Sequence, residues 1–240
     1  MRLKRIFLVL VLILPGCAGD GGGQDGGNGQ PQCERRVLKD DVTNAREIGG
    51  HALSGGGYIN CNKIMRGGHL GGLSDDGCQE FFNLGIETVV DLRMESTQQQ
   101  TPPADCVTAQ ATVVNAAMPK LLPDTEDNYL ALMGETDAVA AMFAVLGESG
   151  AYPAYIHCVI GRDRASFMTA LVFLALGAGE QQVVDEFELS EDAGIAVKTE
   201  CIQAILDEVN NRGGIEAYLT SVGVTSGQLE ILRSEAIKTE

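Results

Sequence analysis

The chain has no tryptophan, only three histidines, and only 17 lysines and arginines against 33 aspartates and glutamates. Each shortage excludes something. Without tryptophan there is no indole to serve as a stacking wall for a ligand. The formal charge of −16 leaves no basic patch of the kind that nucleic acid or an anionic membrane surface requires, so neither is expected as a partner. His51, His69 and His157 stand at no metal-ligand spacing, and no metal or other cofactor is expected. No internal repeat is visible. What is present is an ordinary globular composition, 45% hydrophobic and 21% charged, over 240 residues: enough for one good-sized core.

The N-terminus reads as an export signal. "MRLKR" supplies positive charge, Ile6 to Leu14 is an unbroken apolar run, and "LPGC" follows. Nine apolar residues are too few to span a bilayer. Small residues before a cysteine resemble the lipobox of bacterial lipoproteins. That resemblance implies cleavage after residue 16 and lipidation of Cys17, with periplasmic or surface exposure and membrane contact through the lipid alone. An ordinary signal peptide cut nearby is the alternative. Losing residues 1–16 removes Arg2, Lys4 and Arg5 and takes the charge from −16 to −19. The glycine-rich Ala18 to Gln32 is expected to be a flexible tether, giving a signal over 1–16, a tether over 17–36 and a folded domain over 37–240.

Export places seven cysteines where disulfides persist. Setting aside Cys17 and Cys158 leaves Cys33, Cys61, Cys78, Cys106 and Cys201, an odd number. Cys201 borders the apolar face of Ile202, Ile205, Leu206 and Val209 and is expected to be the buried, unpaired one. Sequence does not fix the pairing of the other four; Cys33–Cys61 and Cys78–Cys106 are the nearest neighbours.

Strand and helix signals alternate along the domain. "YINCNKIMRGG" is expected to be extended. Ser74 caps a helix that starts with Asp75 and Asp76 and runs through Leu84. "IETVVDL" reads as a buried strand ending at Asp91, and "ATVVNAAM" as a second apolar run. A helical region opens at Asp124 or Thr125 and reaches Leu146, with a break expected at Gly134. "AYIHC" is the next strand. The helix from Ala165 to Leu176 is apolar on nearly every side and so is expected at the domain's centre. From Glu180 onward the chain reads as helical throughout. The pattern is that of an α/β fold: a mostly parallel central sheet flanked by helices, followed by a helical C-terminal part.

The joint between "AYIHC" and the buried helix carries the chemistry. A chain that leaves a strand's carboxyl end and winds into a helix directs successive backbone N–H groups at one point and binds an anion there. Cys158, Val159, Ile160, Gly161, Arg162, Asp163 and Arg164 would form that cradle. A thiol at a helix N-terminus beside guanidinium groups has its thiolate stabilised and can attack phosphorus. Arg164 can grip two phosphoryl oxygens. A carboxylic acid must then protonate the leaving oxygen and later activate water. A bare Cys-x5-Arg pattern is weak; its setting between an apolar strand and a buried helix narrows it. The bland alternative is a solvated turn with a buried cysteine.

"HCVIGRDR" is similar to the His-Cys-x-x-Gly-Lys-Asp-Arg loop of the atypical tyrosine-protein phosphatases of bacteria and fungi. The resemblance extends from about Asp41 to Ile237, through "NAREIGG", "IMRGGHLGGLSDDG", "LGIETVVDLR" and "GGIEAYLTSVGVT". It implies that Cys158 is the nucleophile, Asp163 the general acid and Arg164 the transition-state clamp. Arg162 stands where the family has lysine. Asp91, Arg93, Asn44 and Arg46 would line or support the pocket; a strand-end ion pair is the alternative for Asp91 and Arg93. Helices between Glu180 and Arg212 would form a lid. The family's threonine after the loop arginine is replaced by Ala165, with Ser166 next. A lost hydrogen bond to the departing thiolate, about 1.5–3 kcal/mol, would slow phosphocysteine hydrolysis roughly ten- to a thousandfold.

The reading is therefore a cysteine-dependent phosphomonoester hydrolase, a protein-tyrosine phosphatase first. Dual-specificity, phosphoserine, phosphoinositide and inositol-phosphate activities stay open. Its partner would be a phosphorylated protein or small phosphoester; oligomeric state is undetermined. A catalytically weak phospholigand-binding protein is the alternative, and sulfur transfer through a persulfide on Cys158 is a third.

Overall fold

The structure is a computed structural model that describes residues 33–120 and 124–239. The expected signal, Cys17 and the glycine-rich stretch up to residue 32 lie outside the described residues. The strands are β1 (Arg46–Glu47), β2 (Tyr58–Ile59), β3 (Ile64–Gly67), β4 (Thr88–Asp91), β5 (Thr112–Asn115), β6 (Ala154–His157) and β7 (Ile237–Lys238). The helices are α1 (Asp75–Asn83), α2 (Glu95–Gln100), α3 (Asp105–Gln110), α4 (Glu126–Leu132), α5 (Thr136–Leu146), α6 (Asp163–Leu176), α7 (Glu180–Glu188), α8 (Thr199–Asn211), α9 (Ile215–Ser221) and α10 (Ser226–Ala236). Among the described residues no single helix is long and apolar enough to cross a membrane.

Five strands form the central sheet in the order β1-β3-β6-β4-β5. β3, β6, β4 and β5 are parallel, with Gly67 and Asp91 both opposite His157, and β1 is an antiparallel edge. Alternation along the strands sorts the two faces. Ile64, Val90, Ala154 and Ile156 join a large core with α6, whereas Met65, Val89 and Tyr155 join a smaller one with Phe81 of α1 and Val107 of α3. Helices therefore cover both faces, as a parallel sheet requires. From Ala165 to Leu176 of α6 only Leu174 is not fully buried, and the helix ends at Gly177 in the left-handed region. Ser74 caps α1 by accepting from the Gly77 amide at 3.1 Å. Thr125 caps α4, and Gly134 lies in the break before α5.

Among the described residues, Cys33–Cys61 and Cys78–Cys106 are the two disulfides, and Cys158 and Cys201 are free and buried. The first bridge moves a boundary. Cys33 is covalently held, Arg36 bridges to Arg46, and the Glu47 amide donates to the Arg35 carbonyl. Residues 33–36 thus belong to the domain and not to a tether over 17–36. The C-terminal part is not helical throughout either. β7 pairs with β2, Ile237 opposite Ile59, so the chain's end closes a small antiparallel sheet.

Candidate active site

The 158–162 loop leaves β6 between its two parallel neighbours, β3 and β4, at their carboxyl ends. Open parallel sheets hold ligands at that edge. Gly161 has φ +73°, and a Cβ there would run into the backbone of Gly67. The loop is thus wedged against β3 at a point only glycine can occupy. Cys158 is buried to 2% exposure at the loop's start, and Asp163 and Arg164 open α6 at its end.

The loop is backed by a buried polar network. The Gly161 carbonyl accepts from Asn44 Nδ2 at 3.0 Å and from Arg66 Nη2. Arg66 Nη2 also donates to Ser166 Oγ at 2.8 Å, and Arg66 Nη1 lies 3.5 Å from Glu186 Oε1. Arg46 Nε meets the same Glu186 oxygen at 2.6 Å, and Arg46 Nη1 donates to Asn44 Oδ1. Asn44 sits in the left-handed region at φ +60°, which asparagine tolerates well, and its Nδ2 also reaches Ser190 Oγ at 3.1 Å. Two guanidiniums share one carboxylate, so a net positive charge remains behind the loop. Burial, then the like charge of Arg46, pulls Arg66 down to about 10, while Glu186 and the Cys158 sulfur oppose that shift. Arg66 is thus still a cation near neutrality, and the Cys158 sulfur is close enough to act on it electrostatically. This is how a chain of charge −16 makes one spot attractive to an anion.

Arg164 is 6% exposed, and its Nη1 donates to the carbonyls of Leu92 at 3.3 Å and Met118 at 3.2 Å. Both anchors use one nitrogen, so among the described residues no hydrogen bond is made by the Nε–Nη2 edge, the edge that can grip an oxyanion at two points. Asp163 Oδ1 accepts from Tyr129 Oη at 2.5 Å and from Arg162 Nε at 2.8 Å. Arg162 also pairs with Asp124 Oδ2 at 2.6 Å and donates to the Ala196 carbonyl at 3.2 Å. It therefore ties the loop to the segments before α4 and before α8.

Asp91 and Arg93 form a two-point ion pair at the end of β4, 2.9 Å from Arg93 Nε to Oδ1 and 2.7 Å from Nη2 to Oδ2. Both are buried. Arg93 Nη1 donates to Thr101, and Asp91 Oδ2 lies 3.7 Å from His157 Nε2. Burial pushes His157 down to about 4, so the ring is neutral near pH 7, and its Nδ1–H donates to the Cys158 carbonyl at 3.0 Å. Asn44 and Arg46 border a cleft of about 420 Å³ whose wall also includes Arg35, Arg36 and Lys39 but none of residues 158–164. A smaller groove of about 120 Å³, lined by Asp41, Thr43, His69, Val159 and Ile160, adjoins the cysteine loop itself.

Arg66, Glu186, Ser190 and Tyr129 join the candidate site without being singled out by the sequence. Two carry a signal in hindsight. Arg66 interrupts a four-residue strand that is buried at every position. Glu186 shares the spacing of Val183, Phe187 and Ser190, which is the buried face of α7 and its exit.

A family model described as the tyrosine phosphatase family matches residues 38–238. A candidate tyrosine-protein phosphatase of Cupriavidus necator is 25% identical over 168 residues, which is 62% of this chain and 60% of that protein's length. Among solved structures, the core catalytic domain of the PP-IP phosphatase SIW14 from S. cerevisiae aligns at 11% identity and a TM-score of 0.44, over 72% of this chain and 94% of its own. A candidate phosphatase (DUF442) from Shewanella putrefaciens CN-32 aligns at 15% identity and the same TM-score, over 74% of this chain and 97% of its own. The family model spans nearly the whole described domain, with the cysteine loop inside it: this chain belongs to the tyrosine phosphatase family.

Proposed function

We propose that the protein hydrolyses aryl phosphomonoesters, phosphotyrosine in proteins foremost, through a phosphocysteine intermediate. The observation that carries this is the state of Cys158. In a domain with two disulfides it stays unpaired and buried, at the start of a strand-to-helix turn whose far end carries Asp163 and Arg164. In the first step the Cys158 thiolate forms a bond to phosphorus as the P–O bond to the leaving group breaks. The Asp163 proton passes to the leaving oxygen. In the second step Asp163 takes a proton from water, the water oxygen bonds to phosphorus, and the S–P bond breaks to return thiolate and inorganic phosphate. Arg164 holds the phosphoryl oxygens in both steps.

The rim favours an aromatic leaving group over a polyphosphorylated one. Ile160 in the loop and Met94 just past β4 are large apolar side chains left 38% and 48% exposed at the sheet's catalytic end. An overall charge of −16 also repels highly anionic substrates at long range. A substrate panel on the domain from Cys33 onward tests this. Phosphotyrosine peptides should be cleaved at least about tenfold more efficiently, in kcat/KM, than phosphoserine peptides or inositol polyphosphates. Preference for the polyphosphates would overturn the assignment. The assay needs enough reductant to keep Cys158 as a thiol.

A slow, phosphate-trapping protein is the second reading, and Ala165 favours it. Ser166 stands one residue further along α6, about 100° round the helix from the missing threonine, and its Oγ accepts from Arg66 Nη2. Ala165→Ser, the smallest change that restores a hydroxyl at this fully buried site, should raise steady-state turnover about tenfold or more. A burst followed by stalling in the parent chain, relieved in the variant, would establish trapping. Equal steady-state rates in the two would show that the hydroxyl is dispensable here.

A further inference from the structure

Four tyrosines in the described domain donate a hydrogen bond from the phenol, and three of them reach backbone carbonyls. Tyr152 donates to Leu146 at 2.5 Å, Tyr155 to Gly68 at 3.1 Å and Tyr218 to Met133 at 3.2 Å. Those contacts satisfy a buried hydroxyl and nothing more. Tyr129 differs: it donates to a carboxylate, Asp163 Oδ1, at 2.5 Å.

We infer that Tyr129 is a positioning residue that, together with Arg162, fills Oδ1 of Asp163 and thereby assigns the transferable proton to Oδ2. The inference rests on the reading of Asp163 as general acid. A carboxylate oxygen has two lone-pair sites. Tyr129 Oη and Arg162 Nε, at 2.5 and 2.8 Å, take both on Oδ1. Among the described residues, every hydrogen bond to this carboxylate ends on that oxygen. A proton on Oδ1 would have to displace one of these donors, so the acid carries it on Oδ2. Asp163 is the first residue of α6, with its side chain 15% exposed.

Tyr129 suits the task because it cannot swap roles. Burial and the neighbouring Asp163 carboxylate push its phenol far above the ordinary range, so it remains a donor at every working pH. Its ring is fully buried and packs edge-on against Phe187, with centroids 6.2 Å apart. The titratable groups around the carboxylate are Tyr129 from α4, Arg162 from the loop, Asp124 on the far side of Arg162, and Cys201 of α8 near Tyr129. Only Tyr129 and Arg162 touch it.

Tyr129→Phe keeps the ring and deletes the donor. Turnover of phenyl phosphate, which needs its leaving oxygen protonated, should fall about tenfold to thirtyfold. Turnover of 4-nitrophenyl phosphate, whose leaving group departs unaided, should change less than about threefold. The alkaline limb of the phenyl phosphate profile should move up by about one pH unit, since the ionised carboxylate has lost a donor. The inhibition constant for inorganic phosphate should stay within about twofold, showing an intact cradle. Arg162→Met removes the other Oδ1 donor together with its positive charge and should move the limb in the same direction. Equal losses on both substrates with an unmoved limb, or no loss on either, would overturn the inference. Asp163→Asn run alongside separates the two levels. If it lacks the leaving-group dependence, the acid assignment itself fails. If it shows the dependence and Tyr129→Phe does not, only the role of Tyr129 fails.

Discussion

Cys158→Ser should lower hydrolysis of an aryl phosphate by at least about 10⁴-fold and leave binding of inorganic phosphate nearly intact. Serine has the same shape to within one atom, and the site is 2% exposed, so the fold has no reason to change. What changes is the nucleophile. The proposed nucleophile is a sulfur just before the start of α6, with the Arg46, Arg66 and Glu186 network behind its loop. An alcohol in the same place stays protonated and needs a general base. In the proposed mechanism the loop's own carboxylate, Asp163, serves the leaving group. Steady-state rates on an aryl phosphate, with phosphate inhibition measured on the same sample, decide the matter. Undiminished turnover by the serine variant would remove the covalent mechanism altogether.

How much of this was legible before any coordinates depends on the range of the interactions. The β6–loop–α6 unit is local. An apolar tetrad, a glycine and a helix without a polar face are adjacent in sequence, and each states its own conformation. The Ser74 cap and the break at Gly134 are read the same way. The cysteine pairs join nearest neighbours in sequence, each across a separation of 28 residues. What escaped is long-range. Glu186 reaches Arg46 across 140 residues and Arg66 across 120, and neither polar α7 nor the short β1 announces a partner. β7 escaped because two residues at the end of an amphipathic helix carry no strand period, and only pairing with Tyr58–Ile59 makes them one. For Asp91 and Arg93 the strand-end ion pair, one of the two alternatives their residue types left open, is present. Positions i and i+2 at a strand end fall on one side, and there each neutralises the other.

The buried arginine behind the loop should matter to stability as much as to catalysis. Arg66→Met, a change of similar length and no charge, should cost about 3–5 kcal/mol, the range found when one member of a buried ion pair is removed. For a domain of this size that corresponds to a fall in melting temperature on the order of 10 °C. The reason is the number of groups that depend on one side chain. Ser166 Oγ loses its donor, Glu186 keeps Arg46 as its only cation, and the Gly161 carbonyl keeps only Asn44. Arg66→Lys restores the charge but not the planar fork, and should recover less than half of the loss. The loss in catalysis should exceed what unfolding explains. At a temperature where both proteins remain folded, the methionine variant lacks a cation on which the Cys158 sulfur acts electrostatically. Thermal melts and the pH dependence of Cys158 alkylation, measured on the same preparations, separate the two effects. If the methionine variant melts within about 1 kcal/mol of the parent and alkylates with the same profile, Arg66 neither braces the loop nor contributes to its charge.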